Sequence, residues 1–165
     1  MADEAEPSKP IETGEGRSEL KERLAAEMRA ALKAGEKVKL GALRLLAASV
    51  KNREVELRHA LDDAEFLQVA AREVKRRKEA IEAYSDAGRE DLVAKETEEQ
   101  RVLEAYLPAA LGEAELASLI EEAVSATGAR DMGDIGRVMG YVMGKAQGRV
   151  DGKLVQVKVR ERLSR

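Results

Sequence analysis

A single proline divides the chain into two stretches of different character and limits how it can fold. Before the segment Val102–Pro108 the sequence carries charged residues at helical spacing, whereas eight of its 13 glycines follow Pro108. Because proline lacks an N–H group and disfavours helical geometry in the residue before it, a helix through Leu103 and Tyr106 is expected to end near Leu107. Tyr106, Leu107 and Pro108 are therefore predicted to form a hinge between two helical domains. The alternative is a corner between helices of one domain.

The composition favours an all-α protein. Only four of the 165 residues are aromatic, 37% are charged, and alanine, glutamate, leucine, lysine and arginine dominate, as expected for helices rather than for a β-sandwich. The absence of cysteine excludes disulfides, thiol catalysis and a cysteine-based zinc site. No apolar segment approaches the roughly 20 residues that span a bilayer, and the acidic N-terminal segment lacks the apolar core of a secretory signal. A cytoplasmic protein without membrane contact is expected.

The hydrophobic pattern predicts three regions. Residues 1–17 are acidic, contain proline and glycine and carry almost no apolar side chains, so a disordered tail is expected. Residues 18–108 show the pattern of four helices: Ser18 is a plausible N-cap for the first, and Asp62 with Glu65 has the spacing of a capping box for the third. Residues 109–165 show three shorter helices. The last segment fits either a strand or a helix, and helix is favoured because no partner strand is evident.

Two features of the C-terminal region are candidate binding elements. Glycines recur three or four residues apart in one predicted helix and would leave one face bare, so that a neighbouring helix or an RNA backbone could approach closely; these are Gly133, Gly136, Gly140 and Gly144. Although the whole chain has a net charge of −3, residues 144–165 contain seven basic and two acidic residues, and local basic clusters attract phosphates. The candidate phosphate-binding residues are Lys145, Arg149, Lys153, Lys158 and Arg160, with Lys75, Arg76 and Lys78 as a second cluster. A solvated helix face is the alternative for that second cluster.

No catalytic constellation is recognisable. The one histidine, His59, cannot form a histidine-rich metal site, there is no phosphate-binding loop, and no serine lies in a nucleophile-elbow motif. We therefore predict no catalytic residues, no metal site and no cofactor. On chemistry alone the chain is interpreted as a binding or scaffold protein.

Several motifs occur in an order that resembles the GatB/YqeY family. They are Arg72–Lys78, Tyr84–Leu92, Tyr106–Pro108, Asp131–Gly140 and Gly148–Gly152, which together span nearly everything from Ser18 to Leu163. The chain is most similar to the free-standing YqeY-like members. The resemblance implies an all-α fold with an N-terminal four-helix portion and a C-terminal three-helix portion, similar to the helical tail of the tRNA amidotransferase B subunit.

The same resemblance implies a function in translation. Relatives are described as carbon–nitrogen ligases with glutamine as amido donor, and the tail domain of the B subunit helps to hold the tRNA. Because the chain shows neither a kinase-like core nor an amidase serine–lysine site, the isolated protein is expected to be inactive. The resemblance thus favours a tRNA-binding accessory protein, with amidotransferase subunits or an aminoacyl-tRNA synthetase as further partners. The alternative is a helical protein–protein adaptor with no RNA contact, in which the polar stretch 89–101 docks the partner.

Overall fold

Helices account for the secondary structure in the computed structural model, which describes residues 18–165. Within this range there are seven α-helices, one turn of 3₁₀ helix and no strand, so the predicted all-α fold with four helices before Pro108 and three after it is confirmed. The expected disordered tail, 1–17, lies outside the described residues. The helices are α1 Glu19–Ala34, α2 Lys37–Leu57, α3 Asp63–Asp86, α4 Glu90–Glu104, α5 Glu113–Thr127, α6 Ile135–Ala146 and α7 Gly152–Leu163, and the 3₁₀ turn is Met132–Asp134.

The helix ends follow local rules that the sequence displays. The Ser18 hydroxyl accepts a hydrogen bond from the backbone N–H of Lys21 at 3.1 Å and caps α1, while Gly35 ends this helix in the left-handed conformation with φ 71°. Asp62 and Glu65 form the predicted reciprocal capping box at the start of α3, with backbone-to-carboxylate distances of 2.8 and 3.1 Å. These caps satisfy backbone groups that a helix end would otherwise leave without a partner.

Helices α1 to α4 enclose the first hydrophobic core. Its fully buried side chains include Leu43, Leu46, Phe66 and Leu103. Tyr106 belongs to the same core, because its ring lies 5.7 Å from that of Phe66 and is only 3% exposed. A residue predicted to form the hinge is therefore part of the first helical portion.

The end of α4 differs from the prediction by three residues. The helix ends at Glu104 rather than near Leu107, and the next residues form tighter turns in which Tyr106 N–H donates to Leu103 and Leu107 N–H donates to Glu104, at 3.1 and 3.0 Å. The Tyr106 hydroxyl also donates a hydrogen bond to the Glu27 carboxylate at 2.7 Å. Packing of Tyr106 against α1 and α3 thus accompanies the departure from helical geometry before Pro108 is reached.

Helices α5, α6 and α7 enclose a second hydrophobic core, in which Val138, Val142, Val155 and Val159 are fully buried. The final segment is a helix, as favoured from the sequence, because Val155 and Val159 lie four residues apart on the buried side whereas Val157 is 53% exposed. The two cores lie on either side of Pro108. The domain boundary at 108/109 stays a prediction.

The turn between α6 and α7 contacts the first portion. Gly148 has φ 79°, and a Cβ atom placed on it would lie 3.1 Å from the Ala71 Cβ and 3.4 Å from the Leu67 carbonyl oxygen, both on α3. The linker after Pro108 is held to the same turn, because Leu111 N–H donates to the Arg149 carbonyl at 2.8 Å. Both the left-handed φ and the close packing require glycine at position 148.

Candidate nucleic-acid interface

Helix α7 presents cationic side chains to solvent. Lys153, Lys158 and Arg160 are all exposed, and within residues 18–165 none of their side chains forms an ion pair or a hydrogen bond. Lys153 and Arg160 are seven residues apart, so they lie on one side of the helix about 10 Å from each other along its axis. Lys158 is rotated from Lys153 by about 140° around the same helix. The three cations therefore flank the exposed surface of α7 rather than forming one row.

The orientation of α7 is fixed by its buried side and its N-terminal cap. Val155 and Val159 are inaccessible to solvent within the second core, and the Asp151 carboxylate accepts a hydrogen bond from the Lys153 backbone N–H at 2.7 Å. Leu154 and Val157 remain 47% and 53% exposed between the cations. A ligand on this face would therefore meet both positive charge and apolar surface.

Lys145 is exposed but already has a partner. Its ammonium group lies 2.5 Å from a carboxylate oxygen of Glu122, and the Tyr141 hydroxyl donates to the same oxygen at 2.6 Å. The hydrogen bond from Lys145 lowers the pKa of Glu122 below its ordinary value and that of Tyr141 lowers it further. Glu122 therefore offsets part of the charge that Lys145 would offer to a phosphate.

Arg149 contacts the linker between the two helical portions. Its Nε donates to the Ala109 carbonyl at 2.8 Å, and one terminal nitrogen lies 3.5 Å from the Glu115 carboxylate. Together with the Leu111-to-Arg149 backbone bond, these contacts hold residues 109–115 against the turn between α6 and α7. Arg149 was predicted as a phosphate ligand, but in the structure its guanidinium group is engaged by the chain itself.

The second basic cluster, on α3, is divided between surface and interior. Lys75 is exposed and has no ion-pair partner in the described part of the chain, whereas Arg76 lies 3.1 Å from Glu73 and Lys78 lies 3.9 Å from Glu104. Lys75 follows Ala71 by one turn on the same face of α3, and Ala71 is the residue against which Gly148 packs. The turn contact therefore brings Lys75 towards the C-terminal portion.

A buried charge cluster that the sequence did not predict lies beside these lysines. Arg77, within the basic stretch, is 9% exposed and lies 2.9 Å from Glu73 and 3.4 Å from Glu99, which are 5% and 7% exposed. The Ser49 hydroxyl donates to Glu73 at 2.9 Å. The i, i+4 spacing of Glu73 and Arg77 is compatible with an ion pair on one helix, whereas nothing in the polar stretch 89–101 indicates that Glu99 is buried. Its burial results from the packing of α4 on α3, which the local pattern does not display.

The predicted glycine stripe is exposed in the structure, but it contains one glycine fewer than predicted. Gly136, Gly140 and Gly144 lie on α6, and a Cβ atom built on any of them would have no neighbour within 4 Å. No other helix of the described chain covers them. Gly133 is not part of α6: it belongs to the preceding 3₁₀ turn, where its N–H donates to the Asp131 carboxylate at 2.7 Å. The stripe therefore comprises three glycines on one face rather than four.

Other site classes find no support within residues 18–165. No group of three or more metal-binding side chains occurs in this range. His59 is an exposed side chain at the end of α2, hydrogen-bonded to Glu65 at 2.8 Å. Among the helices of this range, none combines the length and the apolar character needed to cross a bilayer.

The fold and the surface place the chain in the class of all-α proteins that have two helical portions and an exposed cationic C-terminal helix. The chain belongs to the Yqey-like protein family, whose sequence model matches residues 21–163. This confirms the resemblance seen in the motifs.

Two curated relatives carry the same descriptive name, "Altered inheritance of mitochondria protein 41, mitochondrial". The protein from Pyrenophora tritici-repentis is 30% identical over 145 residues, covering 84% of this chain and 78% of its own length. The protein from Eremothecium gossypii is 32% identical over 87 residues, covering 52% of this chain and about half, 48%, of its own length. Both names describe mitochondrial proteins, so these relatives do not confirm the expected cytoplasmic location.

Proposed function

We propose that this protein is a tRNA-binding accessory protein related to glutamine-dependent tRNA amidotransferases, with no catalytic site of its own. The observation that carries the proposal is the exposed side of α7, where Lys153, Lys158 and Arg160 have no partner within the described chain. Cations that are not neutralised by neighbouring carboxylates retain their attraction for phosphates. The link to tRNA itself comes from the resemblance to the GatB/YqeY family.

The remaining candidate cations, Lys145, Arg149 and Lys75, differ in what they contribute to the proposed interface. Lys145 contributes less to the interface because Glu122 offsets its charge, whereas Arg149 supports the turn that positions α7. Lys75, one helical turn from Ala71, would add a cation on α3 beside the α6–α7 turn, because Gly148 packs on Ala71. The negative net charge of −3 does not oppose the proposal, because exposed charges farther apart than about 8 Å are largely screened at physiological salt.

The open glycines of α6 supply the second element of the proposed interface. Without side chains at positions 136, 140 and 144, a ribose–phosphate backbone is able to approach the helix backbone more closely than it could approach an alanine surface. RNA duplexes are recognised largely through shape and through contacts with phosphates and 2′-hydroxyls. A smooth cationic surface is suited to such recognition and implies little dependence on sequence.

Binding of labelled total tRNA to the full chain tests the proposal. The double variant Lys153→Ala with Arg160→Ala is expected to bind at least roughly tenfold more weakly, because both phosphate contacts are lost. The matched control is Arg29→Ala with Lys33→Ala, which removes two exposed cations from α1. Absence of saturable binding at low salt, or equal losses in both variants, would contradict the proposal and favour the adaptor without RNA contact.

A further inference from the structure

A second surface, unrelated to the cationic face of α7, lies between α2 and α4. It is an open groove of about 570 Å³ lined by Lys37, Val38, Gly41, Arg44, Leu45, Lys95 and Glu99. Its α2 residues recur at helical spacing and form one stripe, opposite the buried side of that helix. Leu45 is 48% exposed there. The groove thus combines an apolar floor with charged side chains at its edges.

The charges around this groove are predominantly positive. Lys37 and Arg44 are exposed and form no ion pair within residues 18–165, and Lys95 lies 3.9 Å from Glu99. The Glu99 carboxylate is balanced from behind by Arg77, 3.4 Å away. Lys37 also occupies the first turn of α2, which contains no acidic residue, and cations are unfavourable near a helix N-terminus. The groove is therefore complementary to an anionic partner.

Gly41 adds an observation that the fold of the chain does not explain. It lies inside α2, where glycine is a poor helix former, yet a Cβ atom built on it would meet nothing within 4 Å. No neighbouring side chain within the described chain needs the space. The missing side chain leaves the centre of the groove open for the close approach of another helix.

We propose that the α2–α4 groove binds an acidic amphipathic helix of a partner protein. The stripe from Lys37 to Leu45 is about 12 Å long, which matches about two turns of a docked helix. Apolar side chains of that helix would lie on Val38, Gly41 and Leu45, and its carboxylates would face Lys37, Arg44 and Lys95. An adjoining depression towards the α1–α2 turn is lined by Glu36 and Glu98 as well as by lysines. Because these carboxylates would repel an acidic partner, we place the acidic residues of the partner over the first groove. The protein would thereby carry a docking surface for protein in addition to the proposed surface for tRNA.

The test uses nitrogen-15 NMR spectra of the full chain titrated with a synthetic acidic helical peptide. The peptide carries leucines at i, i+4 and i+7 with glutamates beside them, and its control has lysine in place of every glutamate. The amide resonances of α2 and α4 around the groove are expected to shift when the acidic peptide is added but not when the lysine peptide is added. The variant Gly41→Leu with Arg44→Glu is expected to weaken binding at least roughly tenfold, because it fills the groove and reverses a charge at its edge.

Matched controls separate loss of the groove from loss of the fold. Gly136→Leu fills another helix glycine that has no neighbour within 4 Å, and Arg29→Glu reverses an exposed charge on α1; this pair is expected to bind the peptide as the unmodified chain does. Lys153→Ala with Arg160→Ala should also leave peptide binding unchanged, so the result does not depend on whether tRNA binds.

Three results would overturn the proposal. One is the absence of groove shifts at millimolar peptide. Another is equal shifts with the lysine peptide, or shifts confined to α7, which would indicate unspecific attraction to exposed cations. The third is a shift of the groove amide signals in the absence of peptide when the aspartates and glutamates of residues 1–17 are changed to asparagine and glutamine. Such a shift would mean that the groove is occupied by the chain's own N-terminal segment.

Discussion

At the scale of single residues, Arg77 shows most clearly how burial changes what a charge does. Its guanidinium group is nearly surrounded by the carboxylates of Glu73, Glu96 and Glu99, at 2.9, 3.8 and 3.4 Å from the nearest nitrogen. Its Nε is buried and makes no hydrogen bond within the described chain. Removing one partner of a buried ion pair leaves the other charge uncompensated, which is more costly than losing a surface pair.

Substitution of Arg77 should therefore be strongly destabilising. Arg77→Met is expected to lower the free energy of unfolding by roughly 3–5 kcal/mol, because Glu73 and Glu99 would stay buried without their main counter-charge. Arg76→Met removes a cation next to it whose side chain is 72% exposed, and it should change stability by no more than about 0.5 kcal/mol. Urea unfolding of both variants checks the difference, and equal losses would mean that the cluster does not contribute as described.

His59 provides a second test at this scale, because it is the only histidine and its resonance is unambiguous. The hydrogen bond with Glu65 raises the pKa of His59 above 6.5 and lowers that of Glu65 below 4.5. The pair therefore stabilises the fold most between pH 4.5 and 6.5. The contribution declines at higher pH as His59 loses its proton and at lower pH as Glu65 gains one.

An NMR titration of the full chain should give a pKa for His59 above 6.5. In Glu65→Gln the pKa of His59 should fall towards its ordinary value, because glutamine carries no charge. Glutamine still offers an oxygen to the Asp62 N–H, so the helix cap is retained. An unchanged value in Glu65→Gln would show that the pair is not formed in solution.

At the scale of elements, the sequence predicts the ends of helices well but not the contacts between distant parts of the chain. Ser18, Gly35 and the Asp62–Glu65 capping box could be predicted because each depends on residues within one helical turn. The engagement of Arg149 by Ala109 could not, since it joins elements 40 positions apart. The burial of Glu99 likewise depends on which side of α4 meets α3.

Two glycines with opposite surroundings give a prediction at this scale. Gly148→Ala should destabilise the protein by roughly 1–2 kcal/mol, because an L-residue is disfavoured at φ 79° and its Cβ would lie 3.1 Å from that of Ala71. Gly136→Ala should instead stabilise it by up to about 1 kcal/mol, because it occupies open space within α6. Thermal or urea unfolding distinguishes them; stabilisation by Gly148→Ala would contradict the packing of the α6–α7 turn on α3.

At the scale of the whole molecule, each of the two cores supports its own cationic surface. The second core holds α7 with its unpaired cations outward, while the first core supports the cationic groove between α2 and α4. The sequence could identify the basic C-terminal region from local charge, but not which of its cations are neutralised, because Glu115 and Glu122 come from α5. tRNA and a protein helix are therefore expected to bind at separate places.

The salt dependence of tRNA binding is the sharpest test of whether α7 is a tRNA-binding surface. For the full chain, the logarithm of the binding constant should fall linearly with the logarithm of salt concentration, because phosphate contacts release counterions. Lys153→Ala with Arg160→Ala should reduce the magnitude of that slope by about 2, roughly one for each lost contact, while Arg29→Ala with Lys33→Ala should leave it unchanged. Binding with the same slope in both variants, or no binding at low salt, would contradict the assignment of α7 as a tRNA-binding surface.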